Sequence, residues 1–195
     1  FGLQDDESWA AGFDLSWSPM ERVSLFGSYM REEFFARQRS KYRNPPSRLD
    51  NPTYDWVAKN EDLVDTFAVG VDVTLIPKKL DFRLAWNYSQ ATGRMQAFNP
   101  ATPVPQNNSA IAFDLPTIED SLHQLDASVR YWITKQWFAR FRYTFEKFDI
   151  TDFRTDAIQP FMGLVDPGTS TSVFLGAQAR DYTAHILAFT IGYRF

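Results

Sequence analysis

Apolar and polar side chains alternate along seven segments of this chain, so that every second residue belongs to the same set. In segment 67–75, Phe, Val and Leu at the odd positions alternate with Ala, Gly, Asp and Thr at the even ones. A strand places such sets on opposite faces, whereas a helix would scatter the apolar set around its circumference. Each segment has about 10 residues, the length that a tilted strand needs to cross a bilayer. The segments are 9–17, 23–29, 67–75, 80–89, 124–131, 137–146 and 185–195.

The connections between these segments are short and long in turn. They predict short periplasmic turns near 18–21, 77–79 and 133–136, and long extracellular loops near 30–62, 90–122 and 148–181. Outer-membrane β-barrels have short turns on the periplasmic side and long loops on the extracellular side. The pattern therefore predicts an all-β fold, a transmembrane antiparallel β-barrel that is integral to the bacterial outer membrane.

Seven strands are an odd number, whereas single-chain bacterial barrels have an even number of strands. A sheet with open edges is also not tolerated in lipid. We therefore predict that residues 1–195 are the C-terminal part, about seven strands, of a single larger barrel domain. The remaining strands would come from an upstream region, which we favour, or from another chain.

The composition excludes several classes of protein. The net charge of −4 argues against a general nucleic-acid binder. The chain has no Cys, which excludes a disulfide framework, thiolate metal sites and covalent haem attachment in this segment. No stretch approaches the roughly 18 consecutive apolar residues of a membrane-spanning helix.

The final segment ends on large apolar residues of one face. Phe189, Ile191, Tyr193 and Phe195 share that face, and small or polar residues lie between them. This ending resembles the C-terminal signal strand of bacterial outer-membrane barrels, which has a terminal Phe and an aromatic residue two positions before it. We assign these four residues as the barrel-assembly signal.

The opposite parity carries charge, and it faces away from lipid in the predicted barrel. It is either a solvated or mutually paired lumen wall, or a surface that holds an enclosed protein by charge complementarity. Arg140 and Arg142 form a basic ladder that Arg130 extends, and a porin could use such a ladder as an anion filter. Small residues at 68, 70, 85 and 192 suit packing against a protein. The predicted contact residues are Asp72, Arg83, Asp126, Arg130, Arg140, Arg142 and Glu146.

Residues that could carry catalysis are not grouped in the sequence. There is no nucleophile–base pair, phosphate-binding Gly loop or paired-carboxylate site, and we predict that the protein is not an enzyme. His123 and His185 fall near the outer rim on the lipid-facing parity, where we expect interfacial contacts and no metal ligation. The charged residues within 30–62 predict a solvated loop or one that docks to lipopolysaccharide phosphates.

Three stretches carry a resemblance to a known family. They are Asp65 to Val73, Lys79 to Ser89, and Arg180 to Ile186, followed by the closing Tyr193-Arg194-Phe195. With these stretches, the chain resembles the C-terminal part of the decahaem-associated outer-membrane barrels, the MtrB/PioB family.

The resemblance implies a barrel that sheathes a periplasmic multihaem c-type cytochrome and positions it for electron transfer across the outer membrane. Haem c would belong to that partner, and this chain would carry no cofactor. An extracellular cytochrome would dock at the loops, and Arg130, Arg140 and Arg142 would be the main charged contacts inside. A porin or substrate-specific diffusion channel stays open as the alternative, as does an adhesin or transporter barrel with an internal plug.

Overall fold

The computed structural model describes residues 1–41, 51–101, 111–154 and 181–194, and they form one antiparallel sheet of seven strands. The strands lie in chain order, and each is hydrogen-bonded to the next. The predicted number and order of strands are confirmed. The strands are β1 (Gly2–Met20), β2 (Val23–Lys41), β3 (Asp55–Ile76), β4 (Leu80–Phe98), β5 (Leu115–Trp132), β6 (Trp137–Thr151) and β7 (Tyr182–Tyr193).

The sheet has two edge strands, β1 and β7, which do not pair with each other within the described residues. A single-turn 3-10 helix, Pro52–Tyr54, precedes β3. Among the described ranges, no helix has the length and apolar character that crossing a membrane requires.

Three short connections lie at one end of the strands, at 21–22, 77–79 and 133–136. β1 continues to Met20, with a register shift after Trp17, so the first turn is shorter than the predicted 18–21. In the second turn, Lys78 follows Pro77 and has a left-handed φ of 58°. We call this end of the strands the turn edge, and the opposite end of the strands the loop edge.

The strands extend further toward the loop edge than the sequence predicts. The predicted bounds of the long connections, 30–62, 90–122 and 148–181, are wrong, because the strands leave only 42–54, 99–114 and 152–181 between them. The apolar alternation that located the strands depends on lipid at one face. Backbone pairing needs no lipid, so the hydrogen-bonded ladder continues beyond the apolar stretch.

The two faces of the sheet differ in polarity. We call the face of Val71, Leu84 and Phe141 the outer face, and the face of Asp72 and Arg83 the groove face. The outer face exposes large apolar residues, as expected of a surface that meets lipid. Among them Phe13, Leu15, Leu187 and Phe189 are 64–68% exposed.

The apolar stretch of the outer face shifts along the sheet from strand to strand. It extends from Trp9 to Trp17 in β1 and from Leu187 to Tyr193 in β7, and the register aligns Trp17 with Leu187. From β1 to β7, the stretch therefore moves toward the turn edge by about three to four steps, where one step joins two successive residues of the same face. Successive residues of one face are about 6.7 Å apart and neighbouring strands about 4.8 Å apart, so the strands would be tilted by about 40° from the membrane normal. Outer-membrane barrels have strand tilts in this range.

On β2 to β5, a row of rings marks the end of the apolar stretch that lies nearer the loop edge. Neighbouring ring centres in this row are 6.0, 4.7, 6.4 and 4.6 Å apart. The next row toward the loop edge includes Arg31, Asp65 and Asp149, so the apolar surface stops at the rings on these strands, whereas on β1 it continues past Phe13 to Trp9. We call the row the aromatic row, and it consists of Phe13, Tyr29, Phe67, Tyr88 and His123.

Candidate functional site

The groove face is concave between the turn edge and the middle of the sheet. It encloses a groove of about 660 Å³, which strands β1 to β6 and the turn at 21–22 line. Six of the seven predicted contact residues lie in this groove, and Glu146 lies outside it toward the loop edge. The six are Asp72, Arg83, Asp126, Arg130, Arg140 and Arg142.

Two ion pairs join neighbouring strands directly across the groove. Arg83 on β4 lies opposite Asp72 on β3, and Nη1 is 3.4 Å from Oδ2. Arg130 on β5 lies opposite Asp81 on β4 and donates to Oδ2 from Nε at 3.1 Å and from Nη2 at 2.9 Å. Cross-strand pairs of opposite charge stabilise a sheet, so both pairs contribute to this wall.

A third ion pair is diagonal. Arg142 on β6 donates from Nε to Oδ1 of Asp126 at 2.8 Å. The buried Thr144 hydroxyl donates to the same carboxylate oxygen at 2.6 Å. The Asp126 side chain is only 17% exposed, and these two donors satisfy its charge.

Arg140 differs from Arg83, Arg130 and Arg142, which form the three ion pairs of the groove. It lies directly opposite Arg130 and Thr190, and it forms no ion pair with any residue in the described ranges. Its guanidinium carbon is 5.9 Å from the centre of the Phe138 ring. Among the described residues, the groove therefore holds three arginines in ion pairs, while Arg140 and Arg22, at the turn edge, form none.

Glu146 ends a chain of amide hydrogen bonds on the groove face. The Asn87 side chain donates to Oε1 of Gln124 at 3.2 Å, and Gln124 donates to Oε1 of Glu146 at 2.9 Å. The three residues occupy the same row on β4, β5 and β6. Glu146 is therefore part of a polar row near the middle of the strands, separate from the arginine cluster.

Two aromatic rings of the groove face were not predicted from the sequence. The Phe26 ring covers Gly70, and the Phe138 ring covers Gly192, because a Cβ at either glycine would lie 2.2 Å from the ring. Arg83 stacks over Phe26 at 4.5 Å. The hypothesis that small residues leave room for a partner is therefore wrong at these two glycines. The sequence signal for this arrangement is a Phe on the groove face of one strand that lies opposite a Gly of the neighbouring strand.

The predicted assembly residues lie on the outer face of β7. Phe189 and Ile191 are 68% and 60% exposed, and the Tyr193 ring is 5.0 Å from the Trp137 ring. Phe195 lies outside the described residues. The three described residues thus form the end of the apolar surface at the turn edge.

Both histidines lie on the outer face. The Tyr143 hydroxyl and Nδ1 of His185 are 2.8 Å apart, and the His123 ring is 4.6 Å from the Tyr88 ring. In the described part of the chain, no three His, Asp or Glu side chains are grouped as a metal site would require.

The comparison with protein families agrees with this architecture. The family model "Putative outer membrane beta-barrel porin, MtrB/PioB" matches residues 1–195. The solved structure "Copper transporter OprC" matches with 6% identity and a TM-score of 0.47, over 96% of this chain and 34% of that one. The chain thus spans about a third of that protein. No curated protein matches. The predicted barrel fold and location are confirmed, and the chain belongs to the MtrB/PioB family of β-barrels integral to the outer membrane.

Proposed function

We propose that this barrel sheathes a periplasmic multihaem c-type cytochrome and positions it for electron transfer across the outer membrane. The haem belongs to the enclosed partner, because a chain without Cys lacks the thioether attachment sites of c-type haem. In this proposal the barrel is neither an enzyme nor a redox carrier. It excludes lipid from the haem chain and fixes its position.

The observation that carries this proposal is the self-pairing of charge on the groove face. Asp72 pairs with Arg83, Asp81 with Arg130, and Asp126 with Arg142, each across neighbouring strands. A wall whose charges are already compensated can be covered by a protein without leaving unpaired buried charges, which would be costly. Arg140 remains as a positive contact for an acidic group of the partner.

The outer face supports contacts with the outer leaflet. At the aromatic row and beyond it, basic residues lie on this face where lipopolysaccharide phosphates would meet the barrel. Arg31 is 3.9 Å from Asp65, and Lys147 contacts Asp149 at 2.6 Å, so both are positioned by acidic neighbours. We propose that these residues contact lipopolysaccharide, and that the connections at the loop edge meet an extracellular cytochrome.

A diffusion channel is the alternative, and the unpaired Arg140 is the observation that favours it. One uncompensated arginine in a water-filled groove would attract small anions. The two functions differ in what fills the groove, which is protein in one case and water in the other.

Purification of the full-length protein from native outer membranes in mild detergent tests the proposal. A sheath predicts a strong c-type Soret band that follows this polypeptide through size exclusion. A colourless barrel that conducts ions in a planar bilayer would contradict the sheath and support the channel.

A further inference from the structure

The polarity of both faces inverts at the aromatic row. Toward the loop edge, the outer face carries charged residues such as Glu61 and Arg94, which lie opposite each other on β3 and β4. The groove face becomes apolar over the same rows. We call this apolar surface the mouth, and its main residues are Met30, Phe34, Val64, Ile118, Leu122 and Phe148.

The mouth reaches from β2 to β6 and is open, and Thr66 and Ser89 lie between its apolar side chains on β3 and β4. The register aligns Met30, Leu122 and Phe148 in one row that crosses β2 to β6. Met30 and Phe34 are 45% and 46% exposed, although they lie on the inner side of the barrel wall. Apolar side chains that line the inside of a barrel above the membrane are shielded from lipid, and water is an unfavourable neighbour for them.

Acidic residues of the mouth stand among these apolar side chains. Glu32, Asp62 and Asp120 form no ion pair with other residues of the described ranges, whereas Asp152 beyond them pairs with Arg154 at 2.7 Å. Partial burial raises the pKa of the Asp120 carboxyl. The described parts of β2 to β6 place no Lys or Arg on the groove face of the mouth, so its charge is uniformly negative.

We propose that the mouth binds the loop-edge end of the protein enclosed in the barrel, and that the bound surface carries apolar and basic side chains. This inference rests on the proposed sheath function. The mouth lies on the same face and strands as the groove, so one elongated body that fills the groove also reaches the mouth.

Charge complementarity defines the partner further. The mouth is acidic, whereas five arginines and four carboxylates line the groove nearer the turn edge. The enclosed protein would therefore be polarised along the barrel axis, with a basic end at the loop edge and acidic groups near Arg140. Such a pattern sets the direction and depth of insertion, because a reversed partner would meet like charges.

The test uses the full-length barrel with its co-purifying haem protein. The mouth variant combines Glu32→Gln, Asp62→Asn and Asp120→Asn. A matched control changes the neighbouring residue at each position, on the outer face of the same strands, and combines Glu33→Gln, Glu61→Gln and Glu119→Gln. The rate at which haem absorbance leaves the immobilised barrel is measured over a series of salt concentrations, and heat-modifiable gel migration reports whether each variant is folded.

We expect the mouth variant to release the haem protein about tenfold faster than wild type at low salt, and the difference to shrink at high salt. The control is expected to stay within about twofold of wild type. A Phe34→Ser variant should also accelerate release, but without the salt dependence, because it removes apolar contact only.

Each other outcome overturns a defined part of the proposal. Equal release from the mouth variant, the control and wild type would show that the mouth does not bind the partner, and that a connection of this chain or a second copy covers it. A wild-type barrel that purifies without a haem protein would overturn the sheath function, and this inference with it.

Discussion

The dipeptide Val-Asp occurs twice in β3, at 64–65 and at 71–72, with opposite orientations. Val71 lies on the outer face and Asp72 on the groove face, whereas Val64 lies on the groove face and Asp65 on the outer face. The aromatic row passes between the two copies, at Phe67. Strand alternation therefore determines which residues share a face, and the medium next to each face determines which of them are apolar.

The largest effect is expected when one positive charge is placed on the outer face of β3, on either side of the aromatic row. Val71→Arg should cost roughly 2–4 kcal/mol of folding free energy, because the guanidinium would enter the apolar part of the membrane. Leu63→Arg, on the same face of the same strand but beyond the aromatic row, should cost less than about 1 kcal/mol. Folding titrations in lipid vesicles measure both.

The groove-face neighbour provides a control for this pair. Asp72→Asn should also cost little, because it keeps the shape of the side chain and faces the groove. Equal costs for Val71→Arg and Asp72→Asn would mean that the inside and outside faces are assigned wrongly.

A second test concerns the glycines that allow close approach between strands. Gly70→Ala should destabilise the barrel by about 1–3 kcal/mol, because its Cβ would meet the Phe26 ring and lie 2.7 Å from the Leu84 carbonyl oxygen. Gly27→Ala is the matched control, since its Cβ would have contacts of 3.5 and 3.7 Å. If both substitutions destabilise the barrel equally, the ring does not cover Gly70.

A smaller effect is expected from the ion pair between Asp81 and Arg130. The two side chains are 29% and 37% exposed, so solvent screens the pair. A double-mutant cycle with Asp81→Asn and Arg130→Gln should give a coupling energy of about 0.5–1 kcal/mol in low salt. A coupling energy indistinguishable from zero would show that this pair does not stabilise the wall.

The smallest effect is a pH dependence in the mouth. Because burial raises the folded-state pKa of Asp120, the folded protein binds a proton more readily than the unfolded chain, and stability falls as pH rises through that pKa. Asp120→Asn should therefore be more stable than wild type at neutral pH. The difference should fade as pH is lowered toward the ordinary value of 3.8, and urea titrations across this range measure it. A constant difference across the range would contradict the burial of this carboxyl.

The sequence predicts the strands where lipid contact produces an apolar alternation, and it fails where that contact ends. Phe67, Val69 and Val71 identify β3, but the stretch from Asp55 to Thr66 is also strand and shows no lipid-facing pattern. A strand whose two faces both mix apolar and polar residues is predicted as a loop, because its pairing with neighbouring strands is not visible in its own sequence.

The groove residues show the same limit. Parity places Arg83, Arg130 and Arg142 on one face, but only the register shows that each has an aspartate within reach and that Arg140 has none among the described residues. The Phe26 ring covers Gly70 because the register of β2 and β3 places these two residues opposite each other, although they are 44 positions apart in the sequence.

The most direct measurement compares two adjacent small residues of β5 that face opposite sides of the wall. Because the chain has no Cys, Ser128→Cys and Ala127→Cys each introduce the only thiol of this segment, and a water-soluble maleimide can probe them in the native complex. Cys at 128 should be protected while the haem protein fills the groove and should react once the partner is stripped, whereas Cys at 127 should stay unreactive in lipid. A thiol at 128 that reacts equally fast before and after stripping would mean that the groove is a water-filled channel and not a sheath.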